Sequence, residues 1–303
     1  MNSTPTEKTI TDMRCPLCQL PLLSSEKTWH CDNRHSFDVA KQGYANLLPV
    51  QNKRSKTPGD DAIMVSSRHF FLNKNYYQPI SNTITQLMVD YFSKQNIDHP
   101  NILDAGCGEG YYTNEIYHTL NENHSTSTVT GIDISKPAVL TAAKRNKFIR
   151  WFVSSSSNLP LANNSQHCIL SLFSPVPAEE FHRCLSKDGL LIVASTGEDH
   201  LIELRNILYE EVHKKTFDPA HAVGTYFQPT QTDGSDKNHV KTVKFTLELT
   251  DCETITSLFA MTPHYWRVSP ERKKILETVD QLSVTVEIQL HLFSSIQKTD
   301  AAG

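Results

Sequence analysis

Long apolar runs are missing from this sequence. No stretch approaches the roughly 20 apolar residues that a membrane span needs, and the N-terminus has no apolar segment of the kind that signal peptides carry. We therefore expect neither a membrane protein nor an exported one. An excess of basic residues is missing as well, because 29 Lys and Arg stand against 33 Asp and Glu. The net charge of -4 gives no general sign of nucleic-acid binding, so any such surface must be a local patch.

The cysteines are few and do not resemble a disulfide framework. Their number is seven, which is odd, and four of them lie within apolar strand or helix patterns: Cys107, Cys168, Cys184 and Cys252. A reduced, cytoplasmic compartment fits this usage better than an oxidising one. The 303 residues, 38% of them hydrophobic, predict a globular chain with a sizeable core. Internal repeats and low-complexity segments are absent from the sequence.

A metal-ligand pattern lies near the N-terminus. Cys15 and Cys18 form a Cys-x2-Cys pair, and Cys31 and His35 follow as Cys-x3-His. Two such pairs, separated by a short β-rich segment, can converge tetrahedrally on one zinc ion per chain. His30 is an alternative fourth ligand, but the three-residue gap before His35 lets that pair share one turn. A module this small needs the metal to fold, and no ligand position is open, so we expect structural zinc.

A basic, turn-rich run follows the metal-ligand module. Lys53, Arg54 and Lys56 lie within it, and Tyr44 precedes it. These side chains can hold a phosphate backbone and a stacked base, which makes them candidate RNA-binding residues. The alternative is an ordinary solvated linker.

The glycine-rich segment Asp104–Gly110 is the second motif. It has the pattern Asp-x-Gly-x-Gly-x-Gly, follows a short apolar strand and precedes a helix. Glycines at this turn allow a close approach of the backbone to a ligand, and the helix start offers unpaired N–H groups. Asp133 ends the next predicted strand, where an acid would bind a ribose diol. No Lys-Ser/Thr follows the glycines, so a P-loop is excluded.

These residues resemble the class I S-adenosyl-L-methionine-dependent methyltransferases. The resemblance implies a Rossmann-like fold with a seven-stranded, mostly parallel sheet and an antiparallel C-terminal strand. In that family the glycine motif surrounds the methionine part of the cofactor and the later acid binds the ribose. The cofactor-binding residues that this implies are Asp104, Gly106, Gly108, Glu109, Gly110 and Asp133. Glu109 would bind the amino group of the cofactor or a backbone donor.

Further motifs narrow the resemblance to one family. A Cys-Pro-x-Cys module, Phe-Asp-x-Ala-Lys-x-Gly-Tyr-x-Asn-Leu-Leu-Pro at 37–49 and Lys-Arg-Ser-Lys-x-Pro-Gly-Asp at 53–60 precede the glycine motif. The chain is similar, from Cys15 to Phe293, to the large-subunit rRNA guanine-N1 methyltransferases of the guanine(745) type. The resemblance implies methylation of a guanosine in a 23S rRNA hairpin. It also implies that Tyr77 and His200 lie at the cofactor. The alternatives are that Tyr77 is a packed tyrosine at a helix start and that His200 is a capping or surface residue.

The apolar pattern predicts the elements of the catalytic domain. Predicted helices are 67–93 (one or two), 112–120, 135–145, 181–185, 201–212 and 252–260; predicted strands are 101–105, 129–133, 148–153, 167–173, 189–195, 243–249 and 284–293. The predicted domains are a disordered tail (1–14), a zinc-binding and RNA-recognition module (15–50), a basic linker (51–66), the methyltransferase domain (67–297) and a tail (298–303). Residues 214–240 carry no prediction.

Two sequence features bear on the chemistry. The strand 167–173 ends in Ser174-Pro175-Val176, without the Asn/Asp-Pro-Pro-Tyr of enzymes that methylate exocyclic amines, which agrees with a ring-nitrogen target. The loop 154–158 has serines and Asn158 where many relatives place an Asp, so adenine would be bound by backbone groups or Asn158. No catalytic base is identified. A small-molecule or other RNA methyltransferase, and a zinc-ribbon RNA-binding protein without catalysis, stay as alternatives, and a homodimer stays open.

Overall fold

A small antiparallel sheet begins the described part of the chain. The structure is a computed structural model that describes residues 8–25, 27–49, 58–122, 126–212, 214, 216–231 and 239–296. The four strands of the small sheet follow in sequential order: β1 (Lys8–Arg14), β2 (Pro21–Ser24), β3 (Thr28–His30) and β4 (Ser36–Asp38). Met13, Leu22 and Trp29 are buried apolar side chains of this sheet, and all three belong to a core shared with the larger sheet.

A nine-stranded sheet forms the centre of the molecule. Its strands are β5 (Tyr44–Asn46), β6 (Asn101–Ala105), β7 (Thr128–Asp133), β8 (Arg150–Val153), β9 (Gln166–Leu172), β10 (Leu185–Thr196), β11 (Phe227–Pro229), β12 (Val240–Leu249) and β13 (Leu282–Ser295). The order is β11-β13-β10-β9-β6-β7-β8-β5, and β12 also pairs with β13. Strands β5 to β10 pair with one another in parallel, whereas β13 is antiparallel to β10, β11 and β12.

Seven of these strands confirm the predicted architecture. In the order β8-β7-β6-β9-β10-β13-β12 they form a mostly parallel sheet in which the C-terminal strand is antiparallel. The central strands are buried on both faces, as their continuous apolar runs predict. The sequence did not predict β5 and β11, which are three residues long each and extend the two edges.

Helices cover the sheet. They are α1 (Ala62–Leu72), α2 (Gln78–Gln95), α3 (Tyr111–Glu122), α4 (Lys136–Arg145), α5 (Ala178–Cys184), α6 (Ile202–Leu208), α7 (Pro219–Val223), α8 (Cys252–Ala260), α9 (His264–Arg267) and α10 (Pro270–Leu276). Side-chain caps fix where several begin: Asp61 accepts from N–H groups of the first turn of α1, and Ser135 accepts from the Ala138 N–H in the first turn of α4. No helix in the described ranges is long and apolar enough to span a membrane.

The small sheet packs on the large one where residues 154–165, between β8 and β9, form no helix. The Trp29 ring meets Phe152 of β8 edge to face, with centroids 5.2 Å apart. Asp12 of β1 accepts two hydrogen bonds from the Arg150 guanidinium, at 2.9 and 2.7 Å. Burial would raise the pKa of Asp12, but the Arg150 bonds and charge outweigh it and lower the pKa. The main chain of β5 extends the contact by pairing with β8.

Two predicted boundaries are wrong. Residues 8–14, assigned to a disordered tail, form β1, because β2 and the loop around residue 161 supply hydrogen-bond partners that a polar sequence does not reveal. The Ala162 N–H, for example, donates to the Asp12 carbonyl at 2.7 Å. The predicted linker 51–66 ends early, since α1 begins at Ala62. The candidate RNA-binding residues Lys53, Arg54 and Lys56 lie outside the described residues. The prediction that Tyr44 stacks on a base is wrong, because its side chain is buried in the core.

Candidate functional site

Four side chains near the N-terminus converge as metal ligands. The ligand atoms of Cys15, Cys18, Cys31 and His35 all lie within 4.8 Å of one another. His35 Nδ1 is 3.5 Å from the sulfurs of Cys15 and Cys31, and the sulfurs of Cys18 and Cys31 are 3.6 Å apart. Tetrahedral zinc with bonds of about 2.0–2.3 Å places its ligand atoms roughly 3.4–3.8 Å apart. The donor set therefore fits zinc, with His35 as the fourth ligand.

Each of the two ligand pairs lies on a tight turn. The Gln19 N–H donates to the Cys15 carbonyl and the Arg34 N–H to the Cys31 carbonyl, both at 2.8 Å, and Gln19 and Arg34 have a φ of 62° each. Cys15 and Cys31 are buried, with exposed fractions of 0% and 2%. A closed set of three cysteines and one histidine is a structural zinc site, because no position is left for substrate.

The glycine turn between β6 and α3 forms the second site. Gly106, Gly108 and Gly110 have φ angles of 98°, 55° and 84°. A Cβ at Gly110 would lie 2.8 Å from the Ala142 Cβ, so this glycine lets α4 pack against the turn. A Cβ at Gly108 would meet nothing nearer than Arg68 Nη1, at 3.7 Å. The backbone at Gly108 is therefore open to the close approach of a ligand.

Asp104 lies beneath the glycine turn with one oxygen unpaired. Thr113 Oγ1 donates to Asp104 Oδ2 at 2.6 Å, whereas Asp104 Oδ1 is buried and has no hydrogen-bond partner. Burial raises the pKa of this carboxyl to about 7, the bond from Thr113 opposes the rise, and the charge of Asp133 adds to it. A buried acceptor without a donor is costly, and a cationic donor on a ligand would satisfy it.

Asp133 ends β7 beside the same turn. Its Oδ2 accepts from the Gly108 N–H at 3.0 Å and its Oδ1 from the Ser135 N–H at 2.7 Å. Burial raises the pKa of Asp133, although these two backbone bonds oppose the rise. Each carboxylate oxygen has a second lone pair, so Asp133 keeps the capacity to accept from two neighbouring hydroxyls.

Two tyrosines add unpaired polar atoms at this place. Within the part of the chain that the structure describes, seven buried side-chain N or O atoms lack a partner, and they include Asp104 Oδ1 and the hydroxyls of Tyr77 and Tyr112. Burial raises the pKa of both tyrosines, and the charges of the two interact. Tyr77 also packs edge to face on Phe71, with centroids 5.3 Å apart. Unpaired buried groups around a glycine turn fit a polar cofactor such as S-adenosyl-L-methionine.

The carboxylate of Glu109 is buried and already has protein hydrogen-bond partners. It is 1% exposed, and it accepts from the Tyr111 N–H at 3.2 Å, from His69 Nδ1 at 2.8 Å and from Arg145. Burial would raise its pKa, but the His69 bond and the Arg145 charge and bond lower it. Of the two predicted roles, binding of a backbone donor is seen at the Tyr111 N–H, whereas binding of the cofactor amino group stays a prediction. Glu109 also joins α1, α3 and α4 through His69, Tyr111 and Arg145.

His200 lies after the carboxyl end of β10. Its Nδ1 accepts from the Glu287 N–H at 3.3 Å, so the proton of the neutral ring is on Nε2. Burial, with the charges of Arg205 and His264, lowers the pKa of His200 to about 4. His200 is thus a neutral hydrogen-bond donor. Its described bonds reach β13 and its own loop, not the glycine turn.

The loop after β8 has no acidic side chain at residues 154–158, and its main-chain groups make local hydrogen bonds. The Ser154 N–H donates to the Asp133 carbonyl at 3.0 Å, and the Asn158 N–H donates to the Ser155 carbonyl at 3.3 Å. The loop therefore starts against the strand end that carries Asp133. Whether adenine uses these backbone groups or Asn158 stays a prediction.

Sequence reasoning missed the contribution of residues 58–61. Ser135 Oγ donates to the Asp60 carbonyl at 2.6 Å, and a Cβ at Gly59 would lie 2.8 Å from the Ser135 Cβ. The Asp60 carboxylate pairs with Arg68, which also donates to the Met261 carbonyl at 3.1 Å. The Pro-Gly-Asp sequence was the available signal, but it was assigned to a linker. Through Ser135, which also donates to the Asp133 carboxylate, this segment lies next to Asp133.

Comparisons with known proteins agree with this geometry. Residues 13–56 match the zinc-ribbon family described as RlmA, N-terminal, and residues 102–189 match a family described as a methyltransferase domain. The Bacillus subtilis (strain 168) protein YxjB, provisionally named a 23S rRNA (guanine-N(1)-)-methyltransferase, is 30% identical over 280 residues, which cover 91% of this chain and 95% of that protein. The 23S rRNA (guanine(748)-N(1))-methyltransferase of Streptomyces fradiae is 28% identical over 282 residues, 91% of this chain and 94% of that enzyme.

Among solved structures, the YcgJ protein of Bacillus subtilis superimposes with a TM-score of 0.40 at 16% identity, over 66% of this chain and 94% of that one. This score is too low to add to the strand order described above.

Proposed function

This chain belongs to the family of 23S rRNA (guanine-N(1)-)-methyltransferases, and we propose that it transfers a methyl group from S-adenosyl-L-methionine to N1 of a guanosine in a 23S rRNA hairpin. The observation that carries the proposal is the glycine turn with its unpaired buried groups on Asp104, Tyr77 and Tyr112. The nucleotide number 745 stays a prediction, because the name of the Streptomyces fradiae relative prints 748.

The residues around the turn would hold the cofactor. Asp104 Oδ1 and the Tyr77 hydroxyl would bind the methionine part, Gly106, Gly108 and Gly110 would let the backbone approach it, and the Asp133 carboxylate would accept from the ribose hydroxyls. When bound, S-adenosyl-L-methionine supplies an electrophilic methyl group. The protein contributes mainly position and the exclusion of water. The fit of the donor set supports this arrangement, since Asp104 needs a donor and Asp133 has spare acceptor capacity.

His200 would act as a hydrogen-bond donor toward the bound cofactor. Guanine N1 must lose a proton as it accepts the methyl group. A histidine whose pKa is lowered to about 4 is a weak base, and the bond from the Glu287 N–H leaves the proton on Nε2. His200 is therefore assigned to binding rather than to proton transfer, and the base that accepts the N1 proton is left unassigned.

The zinc module would present the RNA. The Watson–Crick edge of a hairpin guanosine is reachable only when the base leaves the stack. The module is fixed to the catalytic sheet by the β5–β8 pairing and the bond between Asp12 and Arg150, so RNA bound to it lies at a defined place relative to the glycine turn. Lys53, Arg54 and Lys56 would bind phosphates next to the module.

The proposal is tested with 23S rRNA from cells that lack this protein and with cofactor labelled in its methyl group. We expect label in the RNA and a block to primer extension at one guanosine, since N1 methylation prevents base pairing. Label that enters only a small-molecule extract would reject the rRNA substrate. Asp133→Asn should lower cofactor affinity about ten- to a hundredfold, the value of a charge-assisted hydrogen bond. Asp188→Asn, an exposed acid before the apolar part of β10, is the matched control.

Two further parts of the proposal concern cellular context. An rRNA substrate and seven free cysteines support a cytoplasmic location. Whether the chain also forms a homodimer stays open in the proposal. Light scattering of the protein with and without the hairpin would detect one.

A further inference from the structure

The carboxyl end of β9 carries an exposed aromatic side chain. Phe173 follows the last residue of this central strand, and its φ is 57°. A phenylalanine is disfavoured in the left-handed region because of its Cβ. Its side chain is also 46% exposed, although large apolar side chains are usually buried. A strained backbone that holds an apolar ring in solvent is typical of a functional site.

Hydrogen bonds fix this turn against the glycine turn. Ser174 Oγ donates to the Ala105 carbonyl at 2.7 Å, and Ser171 Oγ lies 2.9 Å from Ser174 Oγ and 3.2 Å from the Ser174 carbonyl. A Cβ at Gly106 would lie 2.5 Å from the Cβ of Ser174. The residue after Phe173 therefore rests directly on the first glycine of the cofactor turn. The surrounding structure determines where the ring stands.

The ring of Phe173 borders the proposed cofactor site. Its aromatic neighbour is Tyr112, at a centroid distance of 6.4 Å and an interplanar angle of 48°, and Tyr112 carries one of the unpaired buried hydroxyls. Phe148 offers a comparison, since it is 81% exposed and lies parallel to Tyr117, with centroids 6.3 Å apart. Phe148 precedes β8 and so lies at the amino edge of the sheet, away from the glycine turn.

We propose that Phe173 is the platform on which the extruded target guanine stacks. The proposal rests on the function proposed above and names the residue that receives the base. A base taken out of a hairpin loses its stacking neighbours, and proteins replace them with aromatic side chains. Ligands of such sheets bind at the carboxyl ends of the strands, where Phe173 stands. Stacking holds the plane of the guanine and leaves its Watson–Crick edge free, so that N1 can turn toward the transferred methyl group.

The test compares four variants of the full chain: Phe173→Ala, Phe173→Asn, Phe173→Tyr and, as matched control, Phe148→Ala. Asparagine tolerates the left-handed region, so Phe173→Asn removes the ring without adding strain. We expect kcat/KM for 23S rRNA to fall about ten- to a hundredfold in Phe173→Ala and Phe173→Asn, which is the value of one lost base–aromatic stack. Phe173→Tyr and Phe148→Ala should keep the activity of the wild type. Calorimetric affinity for S-adenosyl-L-methionine and the melting temperature report cofactor binding and folding.

Several outcomes would overturn the platform. One is equal activity of Phe173→Ala and Phe148→Ala while the wild type methylates 23S rRNA; the proposed function would then stand without it. Another is a loss of cofactor affinity in Phe173→Ala as large as the loss of kcat/KM, because the ring would then serve the cofactor. A third is loss of activity in Phe173→Tyr, because an aromatic ring at this position would then not be enough for activity. A wild-type protein that binds cofactor but does not methylate 23S rRNA would remove the proposed function and the platform together.

Discussion

Alanine substitutions at three glycines separate the folding role of the glycine turn from its binding role. Gly110→Ala places a Cβ 2.8 Å from the Ala142 Cβ and 2.9 Å from the Trp151 ring, at a φ of 84°. The left-handed backbone costs about 1–2 kcal/mol and the overpacking about 1–3 kcal/mol more. We therefore expect Gly110→Ala to lower the free energy of unfolding by about 2–5 kcal/mol.

Substitutions at Gly43 and Gly108 separate the backbone cost from the packing cost. Gly43 has a φ of 96° and nothing within 4 Å of its added Cβ, so Gly43→Ala should cost only the backbone term of about 1–2 kcal/mol. Gly108→Ala should resemble Gly43→Ala in stability, because its nearest neighbour, Arg68, is in ordinary contact. It should nevertheless lose affinity for S-adenosyl-L-methionine, since its Cβ would enter the open side of the turn.

Urea unfolding and calorimetric titration with the cofactor measure these two quantities. If Gly110→Ala is no less stable than Gly43→Ala, the packing reasoning at Ala142 and Trp151 fails. If Gly108→Ala binds the cofactor as tightly as the wild type, the ligand does not approach the backbone there.

Three further predictions follow from the described contacts. Asp104 has a pKa near 7 when folded and near 4 when unfolded, so its contribution to the free energy of unfolding is present below about pH 4 and is lost as the pH rises to 7. Urea midpoints at pH 5 and pH 7.5 should differ less in Asp104→Asn than in the wild type, and equal differences would contradict the burial of an unpaired carboxyl. Cys31→Ser should release the zinc, detected as loss of one ion per chain, and should lower the melting temperature. Cys252→Ser, outside the ligand set, should do neither, and retained zinc in Cys31→Ser would contradict the ligand assignment. Arg150→Met should lower the free energy of unfolding by about 3–5 kcal/mol, because it leaves Asp12 buried without its partner. Chemical unfolding at pH 7 measures this loss. A loss below about 1 kcal/mol would be that of a surface ion pair and would contradict the burial argument.

The central sheet could be predicted because its strands carry their signal locally. A continuous apolar run, such as residues 167–173, comes from a strand that is buried on both faces. An alternating pattern, such as residues 284–293, comes from a strand that is buried on one face. Both patterns are visible in a single sequence. β1 and β5 could not be predicted, because β1 is polar and β5 is only three residues long. Both also depend on partners more than 100 positions away, as the contacts of β1 with Leu161 and of β5 with Trp151 illustrate.

The candidate site was predictable in part for a similar reason. Glycine spacing and the acids that end two strands, Asp104 and Asp133, lie within one βαβ unit, where spacing determines proximity. Glu109 lies in the same motif, but its partners His69 and Arg145 come from other helices, so its buried ion pair could not be read from spacing. The Pro-Gly-Asp segment resembled a linker because turn residues look alike whether they meet solvent or Ser135.

The position of the zinc module has a consequence for dissecting the protein. β5 occupies the outer edge of β8, and Trp29 packs edge to face on Phe152 of the same strand. Cutting the chain before α1 would leave β8 with free backbone N–H and C=O groups beside an uncovered apolar face, which is a template for joining to other chains. A shortened catalytic half should therefore precipitate or assemble edge to edge, because the zinc module covers that edge in the full chain.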